Sequence, residues 1–125
     1  MKRKDYLNLI RFFKECVEKL RKQDKVEINF GRDIKFLKKV LEKMSVSEVE
    51  QLIVYFVKNE KKLQPKINVM LSKNVLKIIL EIKRKRESEF WKVVNNTLNE
   101  MRKGNWREFG LTNVKNEIKE KFKNV

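Results

Sequence analysis

Tyr6, Leu9, Ile10, Phe13, Cys16, Val17 and Leu20 recur three and four positions apart, the spacing that gathers side chains on one face of an α-helix. The same period returns along the chain and constrains it to helices packed on their apolar faces. The first segment reads as a helix over residues 6–20 with Asp5 as its N-cap. Val26, Ile28 and Phe30 alternate with polar residues and end at Gly31; with no partner strand in view, they read as a loop packed on the core. A second helix is expected from Asp33 to Met44, with Ile34, Leu37, Val40 and Leu41 inward and Asp33 near its positive end. Ser47 and Glu50 have capping-box spacing, opening a third helix that turns Val49, Leu52, Ile53, Phe56 and Val57 to one side. Glu48 and Glu50 then read as solvated first-turn acids. Pro65 must end or follow that helix. A short helical turn is expected over Ile67 to Leu71, and a longer helix from Ser72 or Lys73.

The longer helix carries an internal conflict. At about 100° per residue, Val75, Ile78, Ile79 and Ile82 centre on one direction, whereas Phe90, Val93, Val94, Thr97, Leu98 and Met101 centre roughly 80° away. A straight helix cannot hold both stripes on one core, so a kink or break is expected near residues 83–88, with Ser88 as a cap for the restart. Trp91 turns inward if the chain breaks there and lies near the polar side if it does not. Gly104 closes the pattern, Trp106 to Phe109 form a connection, and Thr112 or Asn113 caps a terminal helix with Val114, Ile118 and Phe122 inward. The fold class is therefore all-α: a compact bundle of five to six helices in a single domain over residues 1–125, fraying at 1–4.

Composition narrows the chemistry. The chain has no His and one Cys, so an imidazole base, a Cys/His pair and a zinc set cannot be assembled. Its Asp residues are only Asp5, Asp24 and Asp33, and Gly31, Gly104 and Gly110 stand apart, so neither a two-metal nuclease site nor a glycine-rich phosphate loop is suggested. The reading is a non-enzyme with no cofactor and no metal. Cys16 falls on an apolar stripe and reads as an inert core thiol. No apolar run is long enough to span a bilayer and no signal-peptide pattern opens the chain, so a cytoplasmic protein away from membranes is expected.

The charge is more telling. The net charge is +15, and Pro65 to Arg86 holds Lys66, Lys73, Lys77, Lys83, Arg84, Lys85 and Arg86 against Glu81 alone. On a helical wheel Lys73, Lys77 and Arg84 fall within about 40° of one another, opposite the Val75/Ile78/Ile79/Ile82 stripe. Such a face is either solvated surface or a contact for phosphates, whose neutralisation releases condensed counterions. The Lys83-Arg84-Lys85-Arg86 run reads as its continuation or as a solvated hinge. Lys2, Arg3 and Lys4 add a basic arm. Arg102, Lys103 and Arg107 surround Trp106, which either packs in the core or stacks on an unpaired base. The cations are mostly Lys, which binds phosphate without planar base readout, so little sequence specificity is expected.

Phe30-Gly31-Arg32-Asp33, then Leu37-Lys38-Lys39-Val40-Leu41, then Ser47 to Phe56 and Pro65 to Leu76 form a pattern over about 45 residues. It resembles small helical domains of phage and plasmid replisome organisers and helicase loaders. In those domains an aromatic-Gly-basic-Asp turn opens one helix, a second carries a Leu/Ile-x-x-Tyr/Phe face, and a Pro-led turn follows. The chain departs from that group in showing no winged-helix half. The resemblance implies a part in loading or organising replication machinery on DNA, with a replication protein as partner. The leading expectation is thus an accessory protein that binds nucleic acid, DNA first, by electrostatics. The alternatives are an interaction module docking on an acidic host or replication protein, and an accessory domain of a larger nucleic-acid enzyme.

Overall fold

A computed structural model describes residues 3–22, 26 and 28–103 of the 125-residue chain, and for residues 3–5, 98 and 101–103 it describes the backbone alone. Six helices run through them: α1 (Arg3–Leu20), α2 (Phe30–Val40), α3 (Val46–Asn59), α4 (Ile67–Met70), α5 (Lys73–Lys85) and α6 (Glu87–Lys103). The fold is an all-helical bundle. Its axis is α3, whose residues Val49 to Val57 are buried without exception, as expected of a helix packed on all sides. α1 and α6 pack directly on α3, α2 lies against α1 and α4, and α5 against α4 and α6. One apolar cluster draws on all six helices, among them Phe13, Leu37, Phe56, Met70, Ile79 and Phe90. Phe13 stacks near Phe56 at 6.3 Å between ring centroids, and Tyr55 on Phe90 at 5.0 Å.

Several helix starts differ from the sequence reading, each for a local reason. Asp5 lies inside α1, which already includes Arg3 and Lys4, so it is not an N-cap and those two residues extend a helix rather than forming an arm. α2 begins at Phe30, not Asp33. Asn29 caps it, its side-chain oxygen accepting the Arg32 amide at 3.0 Å, while the Asn29 amide donates to Asp33 Oδ2 at 3.2 Å. Asp33 is thereby buried yet satisfied, with Arg32 Nε also donating to Oδ1 at 3.3 Å. Phe30 leaves the extended segment to open the helix and stays half exposed. α2 ends at Val40, and a turn carries the chain to Met44.

The capping box of α3 is Ser45 with Glu48, each side chain bonding the other residue's amide at 3.1 Å, two positions before the expected pair. Two overlapping Ser-x-x-Glu patterns compete here. The earlier one sets Met44 and Val49 in the positions of a hydrophobic staple, whereas the later one would set Val46 against polar Gln51. In consequence Glu50 is not a solvated acid: it is buried, near enough to Cys16 of α1 to act on it electrostatically.

The expected break separates α5 from α6 at Arg86, whose dihedral angles (φ −126°, ψ 51°) leave the helical region. Ser88 does not cap the restart, because α6 already includes Glu87. The break brings Phe90, Trp91 and Val94 inward, with Thr97 buried beside them and its hydroxyl donating to the Val93 carbonyl at 2.7 Å. The side chains of Leu98 and Met101 and the connection and terminal helix expected beyond Gly104 lie outside the described residues.

Candidate nucleic-acid interface

The cationic face of α5 exists because the other face is committed, although the helix is turned differently from the wheel. Ile79 is buried, Val75, Leu76, Leu80, Ile82 and Lys83 are half-buried, and Ile78 is 53% exposed. The inward direction is thus rotated by about 60° from the centre of the Val75/Ile78/Ile79/Ile82 stripe. The stripe misplaced it by counting Ile78, which is exposed, and leaving out Leu76 and Leu80, which lie with Lys83 on the core side.

Lys83 leaves the phosphate-facing group that the sequence suggested. Its ammonium donates to Gln51 Oε1 at 2.9 Å, stands 4.0 Å from Glu48 Oε2, and lies over the rings of Phe90 and Trp91 at 5.7 and 5.6 Å. Its stem runs along the apolar seam while the charge finds oxygen and π-faces. One lysine therefore ties α5 to both α3 and α6.

The remaining candidates divide. Lys73, Lys77, Arg84 and Lys85 are exposed on one broad arc of α5, and Arg86 is exposed at the break. Glu81 sits inside that arc, four residues from both Lys77 and Lys85, a spacing at which an acid offsets part of the charge. Arg86 pairs with Glu89 at 3.9 Å, with both side chains about 70% exposed, a contact that water screens. Lys66 stands apart at the N-cap of α4 with its side chain half-buried. The side chains of Arg102 and Lys103, and all of Trp106 and Arg107, lie outside the described residues.

A second cationic face escaped the sequence reading. On α2, Lys35, Lys38 and Lys39 are exposed while Asp33, the only acid of that helix, is buried. The signal was present as Lys35-x-x-Lys38-Lys39, whose i, i+3, i+4 spacing shares one face. In the fold Asn29 and Arg32 absorb the charge of Asp33, the one acid of the helix. Both cationic helices border α4.

Among the described residues no group of three or more His, Cys, Asp and Glu could hold a metal ion. Burial pushes the Cys16 thiol well up, with Glu15 and Glu50 adding to the effect, which keeps it protonated and a poor nucleophile. No described helix is long and apolar enough to cross a membrane. No protein-family model, no curated protein and no solved structure matches the chain.

Proposed function

We propose that the protein binds nucleic acid through phosphate contacts from the exposed arc of α5, as a non-enzymatic accessory factor. The observation that carries this reading is that Lys73, Lys77, Arg84 and Lys85 share one exposed arc interrupted by a single acid, on a helix whose opposite side is fixed in the core. Rigid presentation matters, because cations held by a packed helix lose little freedom on meeting a phosphate backbone. The α2 lysines add to the potential that draws a polyanion in. DNA is the favoured polymer, and replication of a phage or plasmid in the cytoplasm is the favoured setting. Both rest on the resemblance of Phe30 to Leu76 to replisome organisers and helicase loaders.

Charge reversal tests this reading. Lys73→Glu/Lys77→Glu/Arg84→Glu, all exposed positions, should abolish retention of DNA at moderate salt while circular dichroism keeps its helical signal. Retention equal to wild type would overturn the proposal. A second reading, docking on an acidic protein, is favoured by Ile78, an apolar side chain half exposed at the edge of the same arc. The two part at Ile78→Ser: protein docking loses an apolar anchor, whereas phosphate binding is untouched.

A further inference from the structure

A further cationic concavity lies away from α5. Where α1 ends, Leu20, Arg21 and Lys22 meet Lys61, Lys62, Leu63, Gln64 and Pro65 of the α3–α4 connection around a hollow of about 500 Å³. Among the described residues, four cations and no acid line it. That volume falls within the range of small-ligand sites.

Its floor is built by Arg21. The guanidinium donates to the carbonyls of Glu60 at 2.6 Å, Leu63 at 2.7 Å and Val57 at 3.1 Å, reaches that of Phe56 at 3.4 Å, and lies over the Phe56 ring at 5.6 Å. Those of Phe56, Val57 and Glu60 lie at the C-terminal end of α3, where the helix dipole is negative and would repel an anion, and that of Leu63 belongs to the following connection. A delocalised cation covers them. The electrostatic obstacle is removed at the place where Lys22, Lys61 and Lys62 stand exposed.

Lys22 supplies an independent observation. It has φ of 53°, the only non-glycine positive φ among the described residues. After a helix C-terminus that conformation is usually taken by glycine, because a Cβ there is strained. A lysine in this place gives up backbone stability and gains an ammonium on the rim, the kind of local strain that accompanies function.

We infer that this hollow binds a small anion carrying two or more linked phosphates, with Lys22, Lys61 and Lys62 on the phosphates and the apolar sides of Leu20, Leu63 and Pro65 available to whatever the phosphates are attached to. The site does not depend on the nucleic-acid reading of α5.

Calorimetric titration of the full chain at low salt with inorganic pyrophosphate, a nucleoside triphosphate, the bare nucleoside and a trinucleotide tests it. Pyrophosphate and the triphosphate should each bind at one site per chain, and the bare nucleoside should not bind. Lys61→Glu/Lys62→Glu should weaken pyrophosphate at least tenfold, while Lys73→Glu/Lys77→Glu/Arg84→Glu should leave it within twofold. Lys22→Gly should weaken it severalfold and yet raise the melting midpoint by about 3 °C, because glycine relieves the left-handed strain. A purely structural Lys22 would change the midpoint alone. Pyrophosphate binding that survives Lys61→Glu/Lys62→Glu, or that is lost with the α5 variant, would overturn the proposal. So would tighter binding of the trinucleotide than of the triphosphate, which would assign the hollow to a polymer backbone.

Discussion

Replacing Lys83 with Met separates a structural cation from a phosphate-binding one. Methionine keeps most of the stem that packs beside Phe90 and Trp91 and removes only the ammonium. Four contacts are lost: the bond to Gln51 Oε1 at 2.9 Å, the approach to Glu48 at 4.0 Å, and the positions over the Phe90 and Trp91 rings at 5.7 and 5.6 Å. A hydrogen bond to a charged group contributes about 1.5–3 kcal/mol, and cation–π contacts at partly exposed sites about 0.5–1 kcal/mol each. The Glu48 contact adds under about 1 kcal/mol because both groups meet solvent. Releasing a partly desolvated ammonium offsets some of this, since its side chain is only 21% exposed. The net expectation is a loss of about 2 kcal/mol, or about 8 °C in melting midpoint for a domain of this size. Urea denaturation followed by circular dichroism measures the first quantity and thermal melting the second. Gln51→Met in the same background should cost less than the separate changes sum to, because it removes the acceptor that Lys83→Met strands in the core. The salt dependence of DNA binding should not change. A Lys83→Met protein as stable as wild type within about 0.5 kcal/mol, with its binding slope reduced by nearly one phosphate, would refute the internal assignment of this lysine.

Further expectations follow from other buried groups. Arg21→Ala should cost about 3 kcal/mol, since charge-assisted bonds to carbonyls at the end of α3 and in the following connection are lost together; Arg21→Lys should recover less than half, because an ammonium lacks the planar fork, and urea midpoints that rank lysine equal to arginine would contradict this. Burial raises the Tyr55 phenol, while the bond from Asn59 at 2.9 Å opposes the shift. Its folded pKa lies above its unfolded one, so the stability it contributes is complete below about pH 10 and falls as pH rises through the folded value. Denaturation measured from pH 9 to 12 should show that fall in wild type and a shallower one in Tyr55→Phe; identical curves would remove Tyr55 as the cause. Cys16, fully buried with a raised thiol, should react with a disulfide reagent only at the rate of opening, so labelling should accelerate by orders of magnitude in urea; fast labelling of the native protein would place the thiol at the surface.

The elements that sequence made legible are those whose signal is local. The 3.6-residue period of α1 and the phase conflict that breaks the chain at Arg86 are both readable from apolar positions alone. What was not legible was settled by tertiary competition. Two capping boxes overlap at Ser45 and Ser47, and the apolar pairing of Met44 with Val49 selects the first. α3 was read as one-sided, yet Gln51 and Tyr55 are buried with the rest because neighbours cover every side; polar residues at those positions broke the signature of a fully packed helix. The candidate site follows the same division. Lys73, Lys77 and Arg84 are exposed at their wheel positions, because α5 does bury its opposite side. Lys83 was misassigned because sequence scores it as charge, whereas Gln51 and two rings accept it inside. The α2 lysines share a face by their i, i+3, i+4 spacing, and burial of Asp33 against Asn29 and Arg32 removes the one acid of that helix from the surface.

The claim that the α5 arc meets phosphates is tested most directly by the equilibrium affinity of the wild-type protein for duplex DNA, measured between 50 and 200 mM salt. If Lys73, Lys77, Arg84 and Lys85 each neutralise one phosphate, the log–log slope should be about −3.6, a loss of about 150-fold across that range. Neutralising Lys73, Lys77 and Arg84 as Lys73→Gln/Lys77→Gln/Arg84→Gln should flatten the slope to about −1. An affinity that holds nearly constant over the same range would contradict the account, because binding without counterion release is not phosphate binding.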